Sequence, residues 1–370
     1  MPGGPSMRSI ARLHHSLARG LCGLAVTLFL VAAQAAPPAT PTGLMVTSKP
    51  AKPVLAGDPL AGRVFHTPTD LSAAQPAFII EGVPQNLEYI DFNAAGDAFI
   101  TFDDGPSAAV PGGFLVIQNL AGRPGGRFDA ARDRWVSGSR SGLKQPKDLV
   151  VAHRAGLVIV ADFGDAALKV FAVGAKGDVA PRFITPGLGQ TSAGPRRPWG
   201  LAYDELTDRL IVGATDGTLV VLDRYLASRG QGPRRVIVPT LKGQRVAANL
   251  HDLVYLPAQD TVLVVDVGAA TDRGQAHFDD DGAILMLSGV RRLSGAAPVQ
   301  LRISGPASLL GNPVGVAFDG AALYVTDKAR HTLLRFDGLL TLRGERDLAP
   351  SAAVTVIAPE SVALIPADVR

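Results

Sequence analysis

Short apolar segments alternate with turn residues along most of the chain, and they recur with a long period. In each repeat a first apolar segment is followed about ten residues later by a second one, and successive first segments lie 60, 52, 52, 63 and 46 residues apart. A repeat of roughly 40 to 50 residues built from short strands is typical of a β-propeller with four-stranded blades. The six first segments begin at Asn86, Pro146, Pro198, Leu250, Pro313 and Pro359.

Further strands can be assigned in most repeats. Three second segments end an apolar run with an aspartate and a turn, at Asp162, Asp266 and Asp327. An aspartate in such a place readily accepts hydrogen bonds from nearby amides, so we expect a structural role for all three. Apolar runs at 168–171, 219–222 and 333–336 fit third strands. Outer strands are predicted at 78–80, 134–136, 183–185, 236–238, 301–303 and 354–356.

The two ends of the repeat region complement each other. Residues 43–49 align with the second strand at 322–328, yet no first strand precedes them. Residues 359–365 resemble a first strand and are followed by only five residues. The sequence therefore predicts an all-β fold, a six-bladed β-propeller whose ring is closed by N-terminal and C-terminal strands that share one blade.

Residues 1–36 have the pattern of an export signal. Arg8, Arg12 and Arg19 precede an apolar run at 21–33 that is short for a membrane span, and small residues follow at a cleavage site. We expect residues 37–370 to form a single propeller domain that is exported to the periplasm or the extracellular space. No later stretch is long and apolar enough to predict a transmembrane segment.

Removal of the signal changes the charge of the chain. The full sequence has 36 Lys and Arg against 33 Asp and Glu, and three arginines leave with the signal, so the remainder is formally neutral. Overall neutrality gives no support for a nucleic-acid partner. The single cysteine, Cys22, leaves as well, which excludes disulfides and Cys-bound zinc. We expect a monomer that binds a protein, glycan or small molecule.

Three acidic residues fall at the third position of predicted first strands: Glu88, Asp148 and Asp252. In a propeller these positions surround the mouth of the central channel, together with the loops between second and third strands. Carboxylates at equivalent positions would repel one another, and a calcium ion with six to eight oxygen ligands would neutralise them better than magnesium. Alternatively, these acids cap loop amides or face solvent. Both interpretations stay open.

Other candidate ligand-binding residues lie on the same predicted face. The longest loop, 267–282, contains His277, Asp279 and Asp281, and part of it is similar to an EF-hand loop without the first acid and the bidentate glutamate. A plain turn is the alternative. His331 lies in another loop of this face, and Trp199 could form the floor of a pocket or pack between blades.

A catalytic role has one candidate residue. His251 adjoins Asp252, so its imidazole could act as a general base or metal ligand, although a surface histidine with ordinary partners would look the same in the sequence. The common motifs of zinc proteases, serine hydrolases and phosphate-binding loops are absent from the sequence.

The segments 313–318, 323–327 and 333–336 together resemble an NHL repeat, and so does 146–171. The resemblance implies a six-bladed propeller of the kind shared by calcium-dependent lactonases and esterases of the gluconolactonase, paraoxonase and strictosidine-synthase-like groups. Those groups hold calcium with Glu, Asn and Asp side chains. Glu88, Asp148 and Asp252 are similar in position, whereas no Asn is seen at the remaining channel positions.

Two functions from different classes follow. The first is a secreted NHL-type binding or scaffold protein with its ligand site on the loop-rich face. The second is a calcium-dependent lactonase or esterase, in which Glu88, Asp148 and Asp252 hold the ion and His251 is the base. The second function requires that the carboxylate oxygens lie within about 5 Å of one centre.

Overall fold

A computed structural model describes residues 41, 43–49, 63–79, 86–103, 112–123, 126–269 and 280–367. The predicted export signal at 1–36, His277 and Asp279 lie outside the described residues. The described chain forms six small antiparallel sheets arranged in a ring, which confirms the six-bladed β-propeller. Within the described ranges, no helix is long and apolar enough to cross a membrane.

Five blades are continuous in sequence, and we number them 1 to 5 along the chain. Within each blade the strands pair in order from the inner strand at the channel to the outer strand at the rim. Blade 1 consists of Leu87–Phe92, Ala98–Asp103, Gly112–Ile117 and Arg134–Ser137. Blade 2 consists of Pro146–Ala152, Leu157–Asp162, Ala167–Ala172 and Phe183–Pro186. Blade 3 consists of Pro198–Asp204, Arg209–Ala214, Leu219–Asp223 and Arg234–Leu241. Blade 4 consists of Leu250–Leu256, Thr261–Asp266, Ala283–Ser288 and Leu301–Ile303, and blade 5 of Pro313–Phe318, Ala322–Asp327, Thr332–Asp337 and Ala352–Thr355.

The sixth blade, which we call the closing blade, combines both ends of the repeat region. Its inner strand Pro359–Leu364 pairs antiparallel with Leu44–Ser48, and the sheet continues through Arg63–Thr67 and Gln75–Ile79. This confirms the predicted closure. The third strand of this blade was not predicted from the sequence.

The hydrophobic core lies between blades rather than inside any one of them. Each inner strand contacts the inner strands of both neighbouring blades, so the six strands enclose a central channel. Across the described chain, six apolar clusters each join one pair of neighbouring blades. Between blades 1 and 2, for example, Phe114 meets Phe171 edge to face with ring centroids 5.6 Å apart. A blade therefore depends on both neighbours to bury its two faces.

Aspartates at the ends of second strands hold the chain where it enters the inner strands. Asp162, Asp266 and Asp327 each accept hydrogen bonds from two consecutive backbone amides of the segment that precedes the inner strand of the same blade. The structural role predicted for these three residues is confirmed. The amide donors are those of Lys144 and Gln145, of Ala248 and Asn249, and of Gly311 and Asn312.

Candidate functional site

The inner strand of blade 1 begins one residue later than the sequence pattern indicated. Leu87 pairs with Phe102, in the same way that Pro146 pairs with Asp162 in blade 2. Leu87 is fully buried and takes the place that proline has in most other blades. Glu88 is therefore at the second position of its strand, and its predicted equivalence with the third-position aspartates is wrong.

Two rings of side chains line the start of the channel. Each inner strand has an irregular register just after its first residue, as in a β-bulge, which turns consecutive side chains toward the channel. The second-position ring consists of Glu88, Lys147, Trp199, His251, Val314 and Glu360. The third-position ring consists of Tyr89, Asp148, Gly200, Asp252, Gly315 and Ser361.

The structure brings four of the predicted site residues together: Glu88, Asp148, Trp199 and Asp252 line one small cavity. Its volume is about 10 Å³, which is room for about one ordered water molecule.

Lysine side chains surround the glutamate of the second-position ring. The Nζ atom of Lys147 lies 2.6 Å from Oε1 of Glu88 and 2.7 Å from Oδ2 of Asp103. Lys49, at the end of a second strand, forms a further ion pair with Glu88. Glu88 is only 4% exposed, so these contacts are largely shielded from water. Buried charges require such partners, because desolvation alone would cost several kcal/mol per ion.

A second pair, Lys328 with Glu360, completes the network of three lysines and three acids. Burial alone would raise the pKa of Glu88, but the ammonium groups of Lys147, Lys49 and Lys328 outweigh burial and lower it to about 2. The positive charge that the sequence led us to expect from calcium is thus present as lysine side chains.

The aspartates of the third-position ring connect inner strands of adjacent blades. The carboxylate of Asp148 accepts a hydrogen bond of 2.6 Å from the backbone N–H of Leu201 in blade 3. Asp252 accepts bonds of 2.7 Å from its neighbour Leu253 and from Val316 in blade 5. These carboxylates therefore act as links between blades.

Both aspartates hold protons more tightly than usual. Burial raises the pKa of Asp252 to about 8, although two backbone N–H groups oppose the shift. Burial and the charge of Asp252 raise the pKa of Asp148 well above its ordinary value. The Oδ1 atom of Asp148 is buried without a hydrogen-bond partner in the described chain. At neutral pH the pair therefore retains a proton.

Trp199 and His251 form the uncharged side of the second-position ring. The indole of Trp199 stacks on the imidazole of His251, with centroids 3.9 Å apart. The Nζ atom of Lys147 lies 4.9 Å from the indole centroid. The indole of Trp199 thus contacts residues of both neighbouring blades, and the ring of Phe163 lies 5.5 Å from it at a steep angle. Burial, Lys147 and Lys328 lower the pKa of His251 to about 3, so its imidazole is neutral near pH 7. A base of that pKa is weak at neutral pH, and its predicted catalytic role stays untested.

The remaining predicted residues do not line this cavity. His331 is exposed in a turn of blade 5, where its Nδ1 atom accepts a hydrogen bond of 3.1 Å from the backbone of Ala358. Asp281 accepts a 2.7 Å bond from the N–H of Ala269 at the base of the long loop. Their roles in ligand binding stay predictions.

The basic members of the site were not predicted from the sequence. Lys147 is the second-position residue of blade 2, and Lys49 and Lys328 each follow the last residue of a second strand. Asp103 and Glu360 were missed with them. Alignment of the second positions of all six inner strands, with Leu87 opposite the prolines, would have indicated a ring of mixed charge.

These residues do not fit a calcium ion. Glu88 is engaged by two ammonium groups, and both oxygens of Asp252 accept backbone hydrogen bonds. Calcium requires six to eight oxygen ligands. Over the described ranges, no group of three His, Cys, Asp or Glu side chains is placed to hold a metal.

Comparisons with known proteins support the fold. No protein-family model matches the chain, and no curated protein matches it. A chain in the crystal structure of a nidogen/laminin complex is similar, with a TM-score of 0.55 and 12% identity over 88% of this chain and 98% of that one. A putative 6-phosphogluconolactonase from Bacteroides fragilis has a TM-score of 0.52 and 9% identity over 87% and 98%. A protein from Lactobacillus plantarum has a TM-score of 0.51 and 12% identity over 87% and 98%. At such identities the likeness shows the β-propeller fold alone.

Proposed function

We propose that the protein is an exported, NHL-type β-propeller that works as a binding or scaffold protein. Its ligand site is the face where the channel opens, formed by the starts of inner strands and the turns between second and third strands. Export rests on the signal-like pattern of residues 1–36, and the NHL assignment rests on the repeat segments of blades 2 and 5.

One observation carries the proposal: the polar side chains of the channel are bonded to one another and to neighbouring blades. Glu88 and Glu360 are paired with lysines, and Asp148 and Asp252 accept backbone hydrogen bonds. Such side chains stabilise the ring, and carboxylates that already have these partners are poorly suited to hold the ion that metal-assisted hydrolysis needs. Ligand recognition therefore belongs to the exposed turns around the channel.

The comparisons are compatible with binding. One similar chain comes from a complex of nidogen with laminin, so this fold occurs in a protein–protein complex. The putative 6-phosphogluconolactonase keeps hydrolysis of a lactone as the second candidate. The paired carboxylates of the channel favour binding over hydrolysis.

The test compares the two faces of the ring by photocrosslinking. A photoreactive residue is introduced in place of His331, in an exposed turn on the channel face, or of Leu206, which is 73% exposed in a turn on the opposite face. Each mature protein is illuminated in its native extracellular or periplasmic milieu. We expect a discrete crosslinked partner at position 331 and none at position 206.

Equal labelling at both positions would contradict a ligand site on the channel face. A parallel assay with lactones and aryl esters in millimolar calcium tests the second candidate. Turnover that disappears in Glu88→Gln and His251→Ala would replace the binding proposal by a hydrolase.

A further inference from the structure

The outer strand of blade 2 differs from most other outer strands in how its edge is covered. In three other blades the connection between third and outer strands of the following blade pairs in parallel with the edge: Gly126–Arg127 with Gln75–Ile79, Gly295–Pro298 with Arg234–Leu241, and Gly344–Arg346 with Leu301–Ile303. A single bridge joins Val136 of blade 1 to Gly177, and the outer strand of blade 5 has no such partner in the described chain. In the described chain, Phe183–Pro186 pairs only with the third strand of its own blade. Unpaired edges are places where another extended chain can add.

The hydrogen-bond pattern shows which peptide groups this edge presents. The N–H of Gly187 donates to Ala166, and Thr185 is paired with Leu168. Because bonded pairs alternate along an antiparallel ladder, the N–H and C=O of Ile184 point away from the third strand, toward the open edge. The side chain of Ile184 is 46% exposed, which is unusual for isoleucine in this molecule.

Two arginines from blade 3 bracket this edge. A guanidinium nitrogen of Arg229 donates to the carbonyl of Arg182 at 2.8 Å, just before the strand, and the group lies 5.6 Å from the ring centroid of Phe183. Arg234 donates to the carbonyl of Gly187 at 3.0 Å, just after the strand. The two contacted carbonyls are five residues apart, which is about 16 Å along an extended strand.

The charges of three arginines at this edge are available to a ligand. Arg182, Arg229 and Arg234 are exposed, and none of them forms an ion pair within the part of the chain that the structure describes. The surrounding segment, 176–245, has 11 Lys and Arg against six Asp and Glu, whereas the rest of 37–370 has 22 against 27. The excess of positive charge thus lies in blade 3 and the outer part of blade 2, and it attracts acidic partners.

We propose that this rim, formed by Arg182, Ile184, Arg229 and Arg234, binds an extended acidic segment of a partner protein. The segment adds to the edge of blade 2 as an extra strand through the peptide groups of Ile184. Its carboxylates, about four residues apart, engage Arg229 and Arg234, and an apolar residue between them covers Ile184. The peptide groups and the exposed isoleucine favour a protein segment over a polysaccharide or nucleic acid, because those ligands would use the charge alone.

The experiment measures binding of a fluorescent peptide of about eight residues, with two aspartates four positions apart and valine and threonine between them. A second peptide of equal charge has a central proline, which removes an N–H needed for strand pairing. Heparin serves as a polyanion without a peptide backbone. We expect the first peptide to bind, and the proline peptide to bind at least about tenfold more weakly. The backbone amide of Ile184 should shift in NMR spectra on addition of the first peptide.

The variant Arg229→Glu/Arg234→Glu should weaken peptide binding at least about tenfold. Arg343→Glu is the matched control, because Arg343 is also exposed and donates only to backbone carbonyls, and it should leave affinity unchanged. If the double charge reversal lowers the melting temperature, Arg229→Gln/Arg234→Gln and Ile184→Asp take its place. Equal weakening by Arg343→Glu, equal binding of the proline peptide, absence of peptide binding, or rim-dependent binding of heparin alone would each overturn the proposal.

Discussion

The buried charge of Glu88 is balanced by lysines from neighbouring blades. Its carboxylate is 4% exposed and is held between Lys49 and Lys147, which come from the closing blade and from blade 2. The ion pairs therefore cross two blade boundaries. The attraction within a buried ion pair roughly offsets the cost of its desolvation, so these pairs add little net stability. They instead favour the correct neighbours for blade 1.

Removal of one partner should be costly for the same reason. We expect Lys147→Met to lower the free energy of unfolding by about 3 kcal/mol, since Asp103 and Glu88 both lose a buried partner. Lys144→Met is the control, because Lys144 is 64% exposed in its pair with Asp165 and should change stability by less than about 1 kcal/mol. Urea unfolding of both variants measures the difference. Equal effects of the two substitutions would show that the buried network has no special weight.

The raised pKa of Asp252 predicts a pH dependence of stability. An aspartate has a pKa near 3.9 in an unfolded chain, and that of Asp252 is about 8 in the folded one. The folded state binds the proton more tightly, so this contribution is complete below about pH 4 and is lost as pH rises through about 8. Asp252→Asn should remove this slope.

Urea unfolding from pH 5 to pH 9 checks the sign. The wild-type protein should lose on the order of a few kcal/mol more than Asp252→Asn over this range. Asp252→Asn also loses a hydrogen-bond acceptor, which lowers its free energy of unfolding equally at every pH. The readout is therefore the slope of the free energy of unfolding against pH and not its absolute value. Parallel curves for the two proteins would contradict a raised pKa.

At the scale of elements, the inner strands of blades 3 and 5 each need a glycine at their irregular start. A Cβ atom on Gly200 would overlap the backbone oxygen of His251 and lie 2.8 Å from the Cα of Asp252 in the next blade. The neighbouring inner strand therefore approaches closely only because no side chain is present. Gly315 stands in the same relation to Glu360 and Ser361.

We expect Gly200→Ala to destabilise the protein by about 3 kcal/mol, because backbone atoms of blade 4 would have to move. Gly174→Ala provides the comparison, since a Cβ there would meet no atom within 4 Å. Thermal melts of the two variants test this. A melting temperature of Gly200→Ala within about a degree of that of Gly174→Ala would contradict the close approach of the inner strands.

The strands were largely predictable from sequence, because apolar runs bounded by proline, aspartate and turns recur in register. The exact start of the inner strand of blade 1 was not predictable, because Leu87 stands where most other blades have proline. A shift of one residue moves Glu88 from the second-position ring to the third-position ring. The lysine partners of Glu88 were also missed. Lys49 and Lys147 lie 39 and 59 residues from it in sequence, and only the packing of neighbouring blades brings them together.

At the scale of the whole molecule, the closing blade determines whether the ring exists. Its inner strand comes from the C-terminal region and its other strands from the N-terminal region, so the two ends are held by the hydrogen bonds between Pro359–Leu364 and Leu44–Ser48. Because every blade buries its faces against two neighbours, an open ring would expose apolar surface on both sides of the gap.

Truncation before Pro359 should therefore abolish cooperative unfolding, since the closing blade loses its inner strand. Truncation after Ile365 keeps that strand and should melt within a few degrees of the intact protein. Circular dichroism melts of both truncations distinguish the cases. A protein lacking 359–370 that melted like the intact chain would refute closure by shared strands.

The central claim is that lysines, and not a divalent cation, balance the carboxylates at the channel mouth. The most direct test is a thermal melt of residues 37–370 in EDTA and then in millimolar calcium. Our account predicts the same melting temperature in both, because Lys49, Lys147 and Lys328 already neutralise the acids. A rise of several degrees in calcium that disappears in Glu88→Gln would contradict it, since only a cation bound to the native channel would stabilise the protein in that way.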